Sequence, residues 1–278
     1  MAKKKNAAEK RREMEQLRLE SRRAKEQQKD VNRDNAIKSD RVHEKTAKLS
    51  KKSVHQPLTI RIETLSPLHL GSGRADIHVD ADVVQDDVGL PYFPAKRLKG
   101  LLYESGLEVA EMAEASGLPL FDKAALDTLF QRGYTGDTQL VMHNLYLENY
   151  AELHADLKYL EERYPSVFRP ADILDCYACL RWQTRIDRAS GVAEETSLRN
   201  MRVIGKGTTF LGEIRFIGGD MDGLKILALA VRNLAWCGGK RTRGFGRIGC
   251  SLEQGGKDIL TPLLEEALNP AGKKGGRP

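Results

Sequence analysis

The hydrophobic period of this chain runs twice from strand to helix and back, which restricts it to folds in which helices cover one face of a sheet. Ile60 and Ile62 alternate with Thr59, Arg61 and Glu63, the two-residue period of a half-buried strand. Beyond Pro94, Leu98, Leu101 and Leu102 share one face of a helix over Ala95–Glu104, flanked by Lys96, Arg97 and Lys99. Helical material continues to about Phe130, and Gln139–Leu147 alternates again. The second cycle has a strand marked by Phe210, Ile214 and Phe216, then a helical stripe of Leu224, Leu227, Val231 and Leu234, then Ile248, Cys250 and Leu252. The expectation is an α+β, ferredoxin-like (RRM-like) antiparallel sheet whose open face is available to a ligand. Part of Leu180–Ile186 also alternates, whereas about Ala151–Asp175 reads as an irregular insertion.

Charge is divided unevenly. Met1–Gln56 holds 18 of the 45 Lys and Arg but only 9 of the 39 Asp and Glu, and no aromatic residue. It cannot bury enough apolar surface to form a core, so a disordered or helical basic extension is expected there. The remaining 27 basic and 30 acidic residues leave the globular part slightly acidic, so any polyanion must be held by local patches. The boundaries expected are an extension over 1–56, a domain over 57–260 and a tail over 261–278. No apolar run approaches the roughly 20 residues that cross a bilayer. Four cysteines are too few for a disulfide scaffold, and a cytoplasmic protein without membrane contact is expected.

The densest chemical signal is Gly238-Gly239-Lys240-Arg241-Thr242-Arg243-Gly244-Phe245-Gly246-Arg247. Its glycines permit positive φ and close backbone approach, while Lys240, Arg241, Arg243 and Arg247 offer cationic donors to phosphates. The loop follows a helix and precedes a strand, the reverse of a nucleotide-binding P-loop, so that reading fails. A second basic site is the start of the helix after Pro94, where Lys96, Arg97 and Lys99 join the helix N-terminus. Gly71-Ser72-Gly73 lacks the third glycine of a dinucleotide fingerprint. Cys176 and Cys179 have zinc-ligand spacing, with His143 and His154 upstream, but no second pair completes four ligands. Trp182, Trp236 and Tyr92 read as core residues, each also able to stack on a base.

Several segments together resemble the RAMP superfamily of CRISPR effector proteins. Pro91–Gly100 is similar to that family's "PYIPGSSLKG" stretch, with Ala95-Lys96-Arg97 in place of Gly-Ser-Ser, and Gly238–Arg247 is similar to its "GGxxxRGFGR" loop. Gln139–Leu147 resembles the strand after the first helix, and Arg185–Ala193 resembles the "IDRxTGxA" stretch leading into the thumb of type III backbone subunits. Gly207–Phe210 matches the return strand. The resemblance implies a subunit that binds guide crRNA beside other CRISPR effector subunits and further copies of itself, with a thumb over about Ile186–Val203. It assigns RNA binding to Lys96, Arg97, Lys99, Gly238, Gly239, Lys240, Arg241, Arg243 and Arg247.

The same resemblance implies cleavage of complementary target RNA by an aspartate in the loop before the first helix, which falls on Asp80, with Asp76 and Asp82 as near neighbours. An ordinary aspartate is a feeble base at neutral pH, so Mg²⁺ or Mn²⁺ is implied at Asp80. A solvated acidic loop is the plainer reading, since Asp76, Asp80, Asp82, Asp86 and Asp87 crowd one segment. His78 beside it is a residue type suited to acid or base work near neutral pH, though a lone loop histidine is more often polar surface. The alternatives are a non-catalytic or end-capping subunit and a guide-processing ribonuclease, the latter disfavoured by the scattered histidines.

Overall fold

The structure is a computed structural model, and it describes residues 57–73, 79–118, 120–132, 139–218 and 220–268. Contacts divide the chain into Met1–Ser53 and Val54–Pro278, and every described residue belongs to the second unit. The basic extension, Asp76 and His78 lie outside the described residues.

The first cycle is β1 (Leu58–Thr64), α1 (Ala95–Ala115), α2 (Lys123–Phe130), β2 (Gln139–Met142) and β3 (Tyr146–Leu147). Two further helices follow, α3 (Tyr150–Arg163) and α4 (Pro170–Asp175), then β4 (Ala178–Gln183) and β5 (Arg199–Ile204). The second cycle is β6 (Thr209–Ile217), α5 (Met221–Asn233) and β7 (Ile248–Gln254), followed by β8 (Lys257–Asp258) and α6 (Leu260–Leu268). The main sheet runs β2-β6-β1-β7-β8, with β3 also on β6, and its pairs are antiparallel. Four strands in the order β2-β6-β1-β7, joined by α1 and α5, make the split βαβ arrangement of a ferredoxin-like fold.

Alternation decides which side is core. Leu58, Ile60, Ile62, Phe210, Ile214, Phe216, Ile248 and Leu252 point to one face and are buried there with the apolar stripes of α1 and α5. Leu260 and Leu263 of α6 join that core, so the packed region runs past the boundary expected at residue 260. Thr59, Arg61 and Glu63 of β1 face the other way, beside Leu211 and Glu213 of β6 and Ser251 and Glu253 of β7. Strands β1, β6 and β7 put no aromatic on that open face, and ion pairs Arg61–Glu148 and Arg215–Glu213 neutralise its cations. The aromatic on that face comes from β3: Tyr146, opposite Leu211, is half-buried and stacks on Tyr150 with ring centroids 4.1 Å apart.

The segment expected to be irregular, Ala151–Asp175, forms α3 and α4 instead. No residue of α3 is fully buried, but Tyr150, Leu153 and Leu157 lie against the core and Leu174 of α4 enters it. Strand β5, which includes residues 199–203 of the segment expected as thumb, is paired with β4 in a second sheet. Residues 184–198 connect these strands, and Ile186, Val192 and Leu198 among them are exposed.

Candidate nucleic-acid interface

A short connector, residues 65–71, fixes the geometry of the site. On one side it meets β5, through hydrogen bonds between Leu68 and Ile204 and from the His69 ring to the Arg202 carbonyl at 2.8 Å. On the other it receives the basic loop: the Gly239 N–H donates to the His69 carbonyl at 3.2 Å and the Gly246 N–H to the Pro67 carbonyl at 2.8 Å. The loop is closed on itself where the Cys237 N–H donates to the Gly246 carbonyl. Its tip, Arg241–Arg243, is a single 3₁₀ turn entered by Lys240 at φ +62° and left by Gly244 at φ +82°. Lys240, Arg241, Arg243 and Arg247 are all exposed, and Phe245 is half-buried.

The start of α1 approaches the same loop. Burial pushes the Cys237 thiol up to about 12, helped by neighbouring Cys250, while Arg97 and Arg241 act in the opposite direction. The two basic segments meet on the connector, Arg97 at the Gly71 carbonyl and the loop at the Pro67 and His69 carbonyls. Lys96 is exposed, and Arg97 donates to the Gly71 carbonyl at 2.8 Å. Lys99 turns inward, donating to the Leu140 carbonyl at 3.3 Å, and burial lowers its pKa. The first free N–H of the helix, that of Ala95, donates to the Asn144 side chain at 2.9 Å. Of the helix-start cations, Lys96 is thus the one turned to solvent.

Asp80 lies on the opposite side of the β4–β5 hairpin. Its N–H donates to Asn200 Oδ1 and its Oδ2 accepts from the Asn200 N–H, both at 2.8 Å, so β5 holds the exposed carboxylate in place. Asp82 is committed elsewhere: Arg202, 8% exposed, reaches Asp82 at 3.3 Å and Asp175 at 3.1 Å. A buried guanidinium needs such partners, so Asp82 serves the fold. Asp80 supplies one carboxylate, which suits a Mg²⁺ or Mn²⁺ ion only where substrate phosphates complete its shell.

Other sequence candidates separate. Among the described residues, the group able to hold a metal is Asp86, Asp87 and His154, and it includes neither Cys176 nor Cys179. Both cysteines are exposed. In that group Asp87 already accepts from His154 at 3.0 Å and Lys158 at 3.1 Å, and these two, in that order, hold its carboxyl down at about 2. Trp182 is 61% exposed and Trp236 39%, so neither is the core residue expected; Tyr92 is half-buried. Sequence reasoning did not single out His69, Gln183, Asn200 or Arg202, which tie the connector, loop and hairpin together.

Comparison with known proteins agrees with this architecture. No curated protein matches the sequence. A solved structure of type III-B Cmr-β bound to cognate target RNA contains a similar chain, at TM-score 0.53 and 12% identity, covering 76% of this chain and 99% of that one. The apo state of Cmr-β contains another, at TM-score 0.53 and 14% identity, covering 73% and 99%. The sequence profile of the RAMP superfamily matches residues 61–249. With its ferredoxin-like core and the basic loop inside that matched span, the chain belongs to the RAMP superfamily.

Proposed function

We propose that this protein is a guide-RNA-binding backbone subunit of a type III-like CRISPR effector complex and cleaves complementary target RNA at Asp80. The observation that carries the reading is the two-sided hairpin: exposed cations of the loop on one side, an exposed and positioned carboxylate on the other. A guide held by its phosphates on the basic side leaves its bases free to pair, and a paired strand passing Asp80 meets a charge fixed by β5. Membership of the RAMP superfamily and the fold shared with chains of Cmr-β structures support the assignment. Asp80 would hold the divalent ion through one carboxylate oxygen, and that ion supplies charge stabilisation to the reacting phosphate.

The test uses assembled complex, labelled RNA complementary to its guide, and Mg²⁺ or Mn²⁺. Cuts are expected at regular intervals, lost on adding chelator. Asp80→Asn keeps an acceptor for the Asn200 N–H but removes the charge, so cutting should fall by at least about 10²-fold with target binding retained. Equal cutting by parent and variant sinks the catalytic claim. A non-cleaving subunit is the second reading, favoured by one observation: among the described residues, Asp80 belongs to no group of three metal-ligating side chains.

A further inference from the structure

Arg61, Arg169, Arg185 and Arg215 each reach a carboxylate, whereas exposed Arg163, Arg188 and Arg232 form no ion pair among the described residues. Arg181 and Arg199 are exposed and make no ion pair or side-chain hydrogen bond among the described residues. Neither β4 nor β5 contains an acidic residue. In the ladder Gln183 stands opposite Arg199 and Arg181 opposite Met201, so alternation places Arg181, Gln183 and Arg199 on one face of the hairpin. That face is joined to the basic loop, because Arg243 donates to Gln183 Oε1 at 3.2 Å. Met201 and Val203 lie on this same face and are buried in it, and Gln183 Nε2 donates to the Met201 sulfur at 3.1 Å. The other face carries Trp182, Asn200 beside Asp80, and Arg202, whose charge is neutralised by Asp82 and Asp175.

We propose that the phosphate-binding surface continues from the loop across Gln183 onto the hairpin, where Arg181 and Arg199 hold the sugar–phosphate backbone of single-stranded RNA. Arg181 lies two residues along β4 from Gln183, roughly 7 Å at strand rise, and Arg199 lies about 5 Å across the ladder. The three guanidinium groups therefore address successive phosphates of one strand rather than a single ion. Gln183 is a positioning residue that holds Arg243 toward this track. The inference rests on the RNA-binding reading above and adds its path.

The test is a salt titration of binding between the full chain and a labelled single-stranded RNA of mixed sequence. Arg181→Ala with Arg199→Ala should weaken binding about tenfold near physiological salt and reduce the log–log salt slope by about 1.4, as two lost phosphate contacts require. Arg181→Gln with Arg199→Gln, which keeps the side-chain length, should do the same with an unchanged melting transition. Lys257→Ala, on edge strand β8, should change neither quantity. If Arg241→Ala with Arg243→Ala weakens binding and the hairpin pair leaves affinity and slope at parental values, the track ends at the loop and this inference falls while RNA binding stands. Weaker binding with an unaltered slope would mean that the arginines stack rather than pair with phosphate, which overturns the proposal. If neither pair has an effect, the RNA-binding reading fails and the track with it.

Discussion

Gly238 has φ +78° and Gly246 φ +80°, and at both a β-carbon would run into main chain: 2.5 Å from the His69 carbonyl oxygen and 1.9 Å from that of Cys237. The close approach that the sequence invited one to assign to RNA is, at these positions, an approach to the protein itself. Gly244, at φ +82°, has open space around the same point. Gly244→Ala should cost only left-handed strain, about 1–2 kcal/mol, or roughly 2–8 °C in melting temperature. Gly246→Ala adds a collision that moves the backbone, so it should lower the melting temperature further and weaken RNA binding by displacing the loop. Thermal unfolding and filter binding of the two variants check this, and equal effects would show that the Cys237 contact does not set the loop. The cations were legible in the sequence because Lys and Arg in a glycine-rich turn are seldom buried. Their supports were not, since Gln183, Asn200 and His69 act through partners far away in the chain.

Elements with one buried face were read correctly, and those without one were not. α5 announces itself by its leucine stripe and by Asp220, whose carboxylate accepts from the Gly223 N–H at 2.9 Å. Replacing that cap by Asp220→Ala should cost about 1 kcal/mol, measured as a shift in denaturant midpoint with an unchanged slope. A changed slope would point to a wider loss of structure than one cap. α3 escaped notice because Tyr150, Leu153 and Leu157 are only half-buried and its N-cap, Asn149, makes no side-chain cap. β5 was absorbed into the projecting segment because Asn200 and Arg202 break the apolar alternation. Both are nevertheless buried: Asn200 is bonded by Asp80, and Arg202 reaches Asp82 and Asp175 while its Nε has no hydrogen-bond partner among the described residues. A strand covered by polar partners leaves no period to read.

The buried apolar core draws its residues from Leu58 to Leu263. Deletion of Met1–Ser53 should therefore leave a single cooperative thermal transition within about 2 °C of the parent, observable by calorimetry. Loss of that transition would mean that the basic extension supports the fold. The same long-range wiring has a consequence for synthesis. Pro67 and His69 offer carbonyls that are filled only by Gly246 and Gly239, near the other end of the chain. At a ribosomal rate of about 5–20 residues per second, the connector waits roughly 10–40 s for its partners. Through that interval the seat is made but the cationic loop that fills it is not. On the proposed RNA-binding reading, a chain truncated before residue 246 lacks the seated loop and should bind RNA more weakly than the full chain.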